Sequence, residues 1–179
     1  MNLRYILTGG PGAGKSTLLQ ALSDAGIATQ PESGRAIIRE QQQQGGNALP
    51  WADRLAFAMR MLERDIDGWK VHENATAPVL FDRGIPDSLG YLQLCGLDAP
   101  PRMTNAVRDC RYAPRVFFAP PWRDIYRQDD ERRQSWDEAA ATARVMLRLY
   151  RACGYQVVMV PPLTAAARAR WLRARLITG

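Results

Sequence analysis

Lysine is almost missing from this 179-residue chain: of 24 basic residues, only Lys15 and Lys70 are lysines, and the rest are arginines. Histidine is rarer still, with His72 alone. The three cysteines, Cys95, Cys110 and Cys153, are odd in number, far apart and free of any Cys-x-x-Cys pair. That pattern argues against a disulfide framework and, with a single histidine, against a structural zinc site. Long apolar runs are missing too: none approaches the roughly 20 residues of a membrane-spanning helix, so no membrane partner is expected. The start of the chain lacks a basic segment followed by a cleavable apolar stretch, which predicts no secretory leader and a cytoplasmic setting. No internal repeat or linker interrupts the sequence, and residues 1–179 are expected to form one domain.

The formal net charge of +6 raises the question of nucleic acid, because clustered Lys and Arg neutralise phosphates. Here the arginines are dispersed along nearly every segment beside acidic residues. Such dispersion describes a solvated surface, and nucleic acid is not an expected partner.

Hydrophobic patterning is more informative. "LRYILT" at 3–8 is apolar and β-prone, as a buried parallel strand requires, and glycines follow at once. A helix is predicted from about Lys15, with Leu18, Leu19 and Leu22 on its apolar face and Gly26 as its stop. Further strands are predicted at "IATQ", "PVLFD", "RVFFAP" and "YQVVMV". Between them, helices are expected from Ser33, from Pro50, over 87–95 and 101–111, and from the capping-box pair Ser135 and Glu138 to Gly154, with a closing helix in the tail. The stripe Trp51, Leu55, Met59, Leu62 and Ile66 is expected in the core, as is a face formed by Trp136, Ala140, Ala143, Leu147 and Tyr150. Strands alternating with helices predict an α/β class: a three-layer domain with a five-stranded parallel sheet covered on both faces.

The first helix is preceded by "GGPGAGKST" at 9–17. Gly9, four intervening residues (Gly10, Pro11, Gly12, Ala13), then Gly14, Lys15 and Ser16 match the P-loop pattern between a strand and a helix, where its mechanism needs it. Glycines let the main chain wrap phosphate, and the helix adds its positive N-terminal dipole. Lys15 is expected to reach the β- and γ-phosphates, and Ser16 to ligate Mg²⁺. A compact ammonium on a flexible stem can bridge two phosphates inside a tight loop where a planar guanidinium is larger and differently directed. That accounts for a lysine in a chain that otherwise uses arginine. Thr17 either contacts the α-phosphate or fills the first helical turn.

The third strand ends "VLFDRG", placing Asp82 at a strand's C-terminal edge, suited to hold Mg²⁺ through water beside Ser16. Motor-type ATPases usually follow that aspartate with a water-polarising glutamate, whereas Arg83 follows here. Neither lysine sits in the Asn-Lys-x-Asp motif by which GTP switches read guanine.

With these residues the chain resembles the nucleoside- and nucleotide-kinase-like group of P-loop NTPases, and within it the small AAA-type ATPases related to the ribosylnicotinamide kinase domain of bacterial NAD-biosynthesis regulators. The resemblance is carried by the P-loop with "PESGRAII" at 31–38, "LPWADRLAFA" at 49–58, "FDRGIPDSLGY" at 81–91, "IYRQDDERR" at 125–133 and "GYQVVMVP" at 154–161. It implies that Glu32, after the second strand, accepts the proton of a substrate hydroxyl, the other reading being an acid at a helix N-terminus. It implies that Arg83 binds substrate or phosphate. Arg35, one turn beyond Glu32, either binds an anionic substrate or is simply exposed. The charged segment 121–134 becomes a short lid whose arginines, Arg123, Arg127, Arg132 or Arg133, stabilise the transferring phosphoryl group. By the same resemblance "VPPLT" lies against adenine, and Trp51, Phe57 and Tyr91 are candidates to line an acceptor pocket, Phe57 with a competing duty in the core.

The implied activity is phosphoryl transfer from ATP, with Mg²⁺, to a small hydroxyl-bearing metabolite such as a nucleoside or related riboside. Two other functions remain open at this point: a nucleotide-binding regulatory ATPase with no small acceptor, and a nucleic-acid-dependent ATPase.

Overall fold

A computed structural model describes residues 2–123 and 135–177 of the chain. Five strands form one wholly parallel sheet in the order β2-β3-β1-β4-β5: β1 Arg4–Gly9, β2 Ala28–Gln30, β3 Val79–Asp82, β4 Arg115–Ala119 and β5 Gln156–Met159. The helices among the described residues are α1 Lys15–Asp24, α2 Ser33–Gln44, α3 Arg54–Val71, α4 Ile85–Leu94, α5 Pro101–Asp109, α6 Trp136–Ala152 and α7 Ala165–Ile177. This is the expected three-layer α/β architecture, and none of these helices is long and apolar enough to cross a membrane.

Period-two alternation on the strands builds two cores at once. Tyr5 and Leu7 of β1, Leu80 of β3 and Phe117 of β4 face Leu18 and Leu22 of α1 and Leu172 of α7. Ile6, Val79, Phe81 and Val116 face the other way, onto Ala58 and Leu62 of α3, Ile85 and Leu92 of α4 and Tyr150 of α6. Central strands buried on both faces read as continuous apolar runs, which is why "YIL", "VLF" and "VFF" stand out in the sequence.

The strand order positions the site. From β1 the chain crosses to β2 on one side of the sheet, and from β3 it returns to β4 on the other side of β1. The connections therefore part at the C-terminal end of β1, where an open parallel sheet leaves a crevice. Gly9 lies at that end with φ +143, and a Cβ there would stand 2.0 Å from the Ala119 carbonyl oxygen of β4. Only glycine fits both the torsion and the gap.

Helix ends and faces depart from expectation in places. The helix expected from Pro50 starts at Arg54, capped by Asp53, whose Oδ1 accepts the Ala56 N–H at 2.9 Å; such a cap is worth ~1 kcal/mol. The stretch before it is therefore turn, so Trp51 and Leu55 are exposed (62% and 42%) and only Leu62 of the expected stripe is fully buried. On α6 the capping box is present as predicted. Its buried face is Ala139, Ala143, Met146, Leu149 and Tyr150, so Ala140 and Leu147 are only partly buried. The helix expected over 87–95 starts two residues earlier, at Ile85.

Candidate functional site

A cavity of about 1010 Å³ opens beyond the C-terminal edge of the sheet. One wall is the glycine-rich loop, Pro11 to Gly14, followed by Lys15 and Ser16. Gly14 has φ +71 and ends the loop in the left-handed conformation from which α1 departs. Gly9 and Gly10 are buried beneath it, and the Lys15 ammonium reaches back to the Gly10 carbonyl at 3.5 Å. Burial, reinforced by the Arg83 charge, pulls the Lys15 pKa down to about 8, against the opposing carboxylates of Asp82, Glu32 and Asp87. The loop is braced from α7: the buried Arg168 donates to the Ala13 carbonyl at 3.0 Å while its Nε has no partner among the described residues.

Glu32, Ser33, Gly34 and Arg35 form a second wall at the start of α2. Glu32 occupies the N-cap position of α2, yet its side chain makes no capping bond. Its carboxylate instead lies 3.6 Å from Arg83 Nε, which separates it from an ordinary helix-capping acid. Arg83 has φ +68, in the left-handed region that costs a non-glycine residue roughly 1 kcal/mol or more. The turn sends its guanidinium inward to the Gly9 carbonyl at 3.2 Å and to Asp87 Oδ1 at 3.3 Å. Burial works against its charge, but Glu32, Asp87 and Asp82 more than offset that and hold it protonated.

Asp82 ends β3 with Oδ1 buried and unpartnered among the described residues. Burial raises its carboxyl above the usual aspartate range, against the pull of Lys15 and Arg83. Thr17 is exposed on α1 and lies off the cavity wall. Arg123 stacks on Trp136, 5.0 Å from its ring centroid, and is not on the wall either. Arg127, with Arg132 and Arg133, lies outside the described residues. Phe57 is both buried and in the wall, packed edge-on to Tyr91 at 5.4 Å, while Trp51 sits at the exposed rim.

Reading the sequence missed the hub beneath this wall. Asp87, 7% exposed, accepts from Thr8 Oγ1 at 2.6 Å, from the Gly84 N–H at 2.9 Å, from Arg83 and from the Tyr150 hydroxyl. Four donors from three regions of the chain converge on one carboxylate and fix where Arg83 points. Asp87→Ala should cost roughly 3–5 kcal/mol in urea unfolding, since it strands a buried cation and three donors; a loss below about 1 kcal/mol would show that the hub is not holding the turn.

The comparisons with known proteins follow this geometry. The AAA domain family matches residues 4–168. The chain belongs to that family. Among solved structures, this AAA domain is similar to deoxyadenosine kinase from M. mycoides with dCMP and dCDP bound, at 15% identity and TM-score 0.69, over 98% of this chain and 100% of that one. It is similar to NadR protein in complex with NR, at 16% identity and TM-score 0.74, over 99% of this chain and 52% of that one, so it spans about half of NadR. Shikimate kinase from Acinetobacter baumannii with shikimate follows at 15% identity and TM-score 0.55, over 99% and 95%. No curated protein matches the chain. At these identities the likeness establishes the fold, that of the P-loop nucleoside and nucleotide kinases.

Proposed function

We propose that this AAA domain is an ATP- and Mg²⁺-dependent phosphotransferase acting on a small hydroxyl-bearing metabolite, with nucleosides and related ribosides as the first class to test. The carrying observation is that one cavity holds both halves of such a reaction: the P-loop with Lys15 on one wall, and Glu32 beside Arg83 on another. ATP phosphates would lie on the loop, with Lys15 stabilising the transferring group and Arg168 holding the loop from behind. Glu32 accepts the acceptor's proton as its oxygen attacks, and Arg83 orients Glu32 and meets the developing charge. Lid arginines, Arg123 and Arg127 first among them, are proposed to close over the phosphates.

Asp82 and Ser16 suit magnesium. Both offer hard oxygen donors, and the orphaned Asp82 Oδ1 is a buried acceptor in need of a partner. An ion held there by Asp82 and Ser16 would offset the negative charge of the phosphates.

The kinases named above support the reading by fold. The room beside the loop favours it over a regulatory ATPase with no small acceptor, because such a protein has no use for an acceptor chamber. The test is a metabolite panel with γ-labelled ATP. Transfer of label to at least one hydroxyl-bearing compound is expected, and ATP hydrolysis without any labelled acceptor would return the regulatory reading.

A further inference from the structure

We propose that the acceptor chamber selects a cationic acceptor, held by the carboxylate of Asp65. The inference rests on the phosphotransferase reading above and deepens it by naming the class of acceptor.

Charge is unevenly matched inside the cavity. Glu32 and Asp87 share the Arg83 guanidinium, at 3.6 and 3.3 Å. Asp65, on α3, lies in the same wall and makes no ion pair within the described residues. Its partners are neutral: Ser88 of α4 donates to Oδ2 at 3.2 Å, and the Ser33 hydroxyl of α2 bonds the same carboxyl. Burial lifts the Asp65 pKa to about 7, helped by the negative charges of Asp87 and Glu32 and opposed by the two serines. Tyr112, buried and neutral, also lies in electrostatic reach. Glu32, Asp87 and Asp82 all act on the Arg83 guanidinium, and Asp82 on Lys15 as well; Asp65, in the cavity wall, is the carboxylate left over. A buried carboxylate with no counter-charge is costly, and a cation entering from solvent relieves that cost with a charge-assisted hydrogen bond.

The surroundings suit a flat, weakly hydrated cation. Met61 and Phe57 precede Asp65 by four and eight residues on α3, so they lie along one helical face; both line the cavity, and Tyr91 packs on Phe57. Aromatic faces and a thioether attract such a cation with little loss of hydration. Of the positive side chains that line the cavity, Arg83 is engaged by Glu32 and Asp87, and Lys15, Arg35 and Arg39 stand at the glycine loop and on α2, where phosphates would be served.

Paired fragments test this without knowledge of the natural acceptor. Benzamidinium against neutral benzamide, and benzylammonium against benzyl alcohol, are titrated calorimetrically into the full chain and its Asp65→Asn variant, with Asp109→Asn, an exposed site on α5, as control. Each cation is expected to bind at least tenfold tighter than its neutral partner at pH 8. Because it needs ionised Asp65, its affinity should fall toward tenfold per pH unit below about 7 and level off above. Asp65→Asn should erase both the preference and the pH dependence while leaving affinity for a non-hydrolysable ATP analogue unchanged, and Asp109→Asn should change neither. Equal binding of cation and neutral partner overturns the proposal, as does a preference that survives in Asp65→Asn. No cation preference in the parent chain, alongside intact nucleotide binding and label transfer, would sink this inference and spare the phosphotransferase; cation preference in the parent with no labelled acceptor would do the reverse.

Discussion

Lys15→Ala should lower ATP turnover by about 10²–10³-fold, the cost of removing a preorganised charge from a phosphoryl-transfer site. Lys15 is 9% exposed and its pKa is drawn down to about 8, so its ammonium is poorly hydrated and its attraction to phosphate is little screened. Lys15→Arg should not restore the rate, since the planar fork cannot occupy the space between the loop and the Gly10 carbonyl in the same way. The fold should not suffer. A lysine whose folded pKa lies below its unfolded value costs stability wherever it is charged, in full below the folded pKa and vanishing as pH rises through the unfolded value. At pH 7, Lys15→Ala should therefore leave the unfolding midpoint unchanged or raise it, as a thermal melt would show. A variant turning over within threefold of the parent would remove Lys15 from the mechanism.

Glu32→Gln is expected to lower phosphoryl transfer by about 10²–10⁴-fold while ATP affinity stays within twofold. The amide keeps the shape of the carboxylate and loses the capacity to accept a proton. The structural basis is the direction of the side chain: at a helix N-cap it makes no capping bond and points to Arg83 at 3.6 Å. Transfer rates by labelled product and affinities for a non-hydrolysable analogue, measured on one preparation, separate the two effects. Equal transfer in variant and parent would dismiss Glu32 as the base. Loss of nucleotide affinity in parallel with rate would make it a binding residue instead.

These expectations were unequally legible in the residue order. The P-loop could be read because it is local: Gly9, Gly14, Lys15 and Ser16 act through the backbone of one short loop between one strand and one helix. The parallel strands could be read because burial on both faces leaves no polar alternation. The hub could not. Asp87 meets Thr8 across 79 residues and Tyr150 across 63, and Asp65 meets Ser88 across 23. In sequence each is an ordinary residue on an amphipathic helix. Periodicity also misjudged α3, because apolar spacing reports one face of a helix and not how far the sheet beneath it extends; Trp51, at the cavity rim, falls before its first turn, and Leu55 lies exposed within that turn.

The sequence by itself determined the class of the sheet, the phosphate loop and the place of Asp82 and Arg83 behind it, since each depends on torsions and burial set by neighbours a few residues away. Only the tertiary structure decided which carboxylates Arg83 neutralises, which one it leaves over and what shares a wall with the glycine loop. Those are matters of distance between groups remote along the chain, and in a cavity shielded from bulk solvent a few ångströms separate a paired charge from an unpaired one.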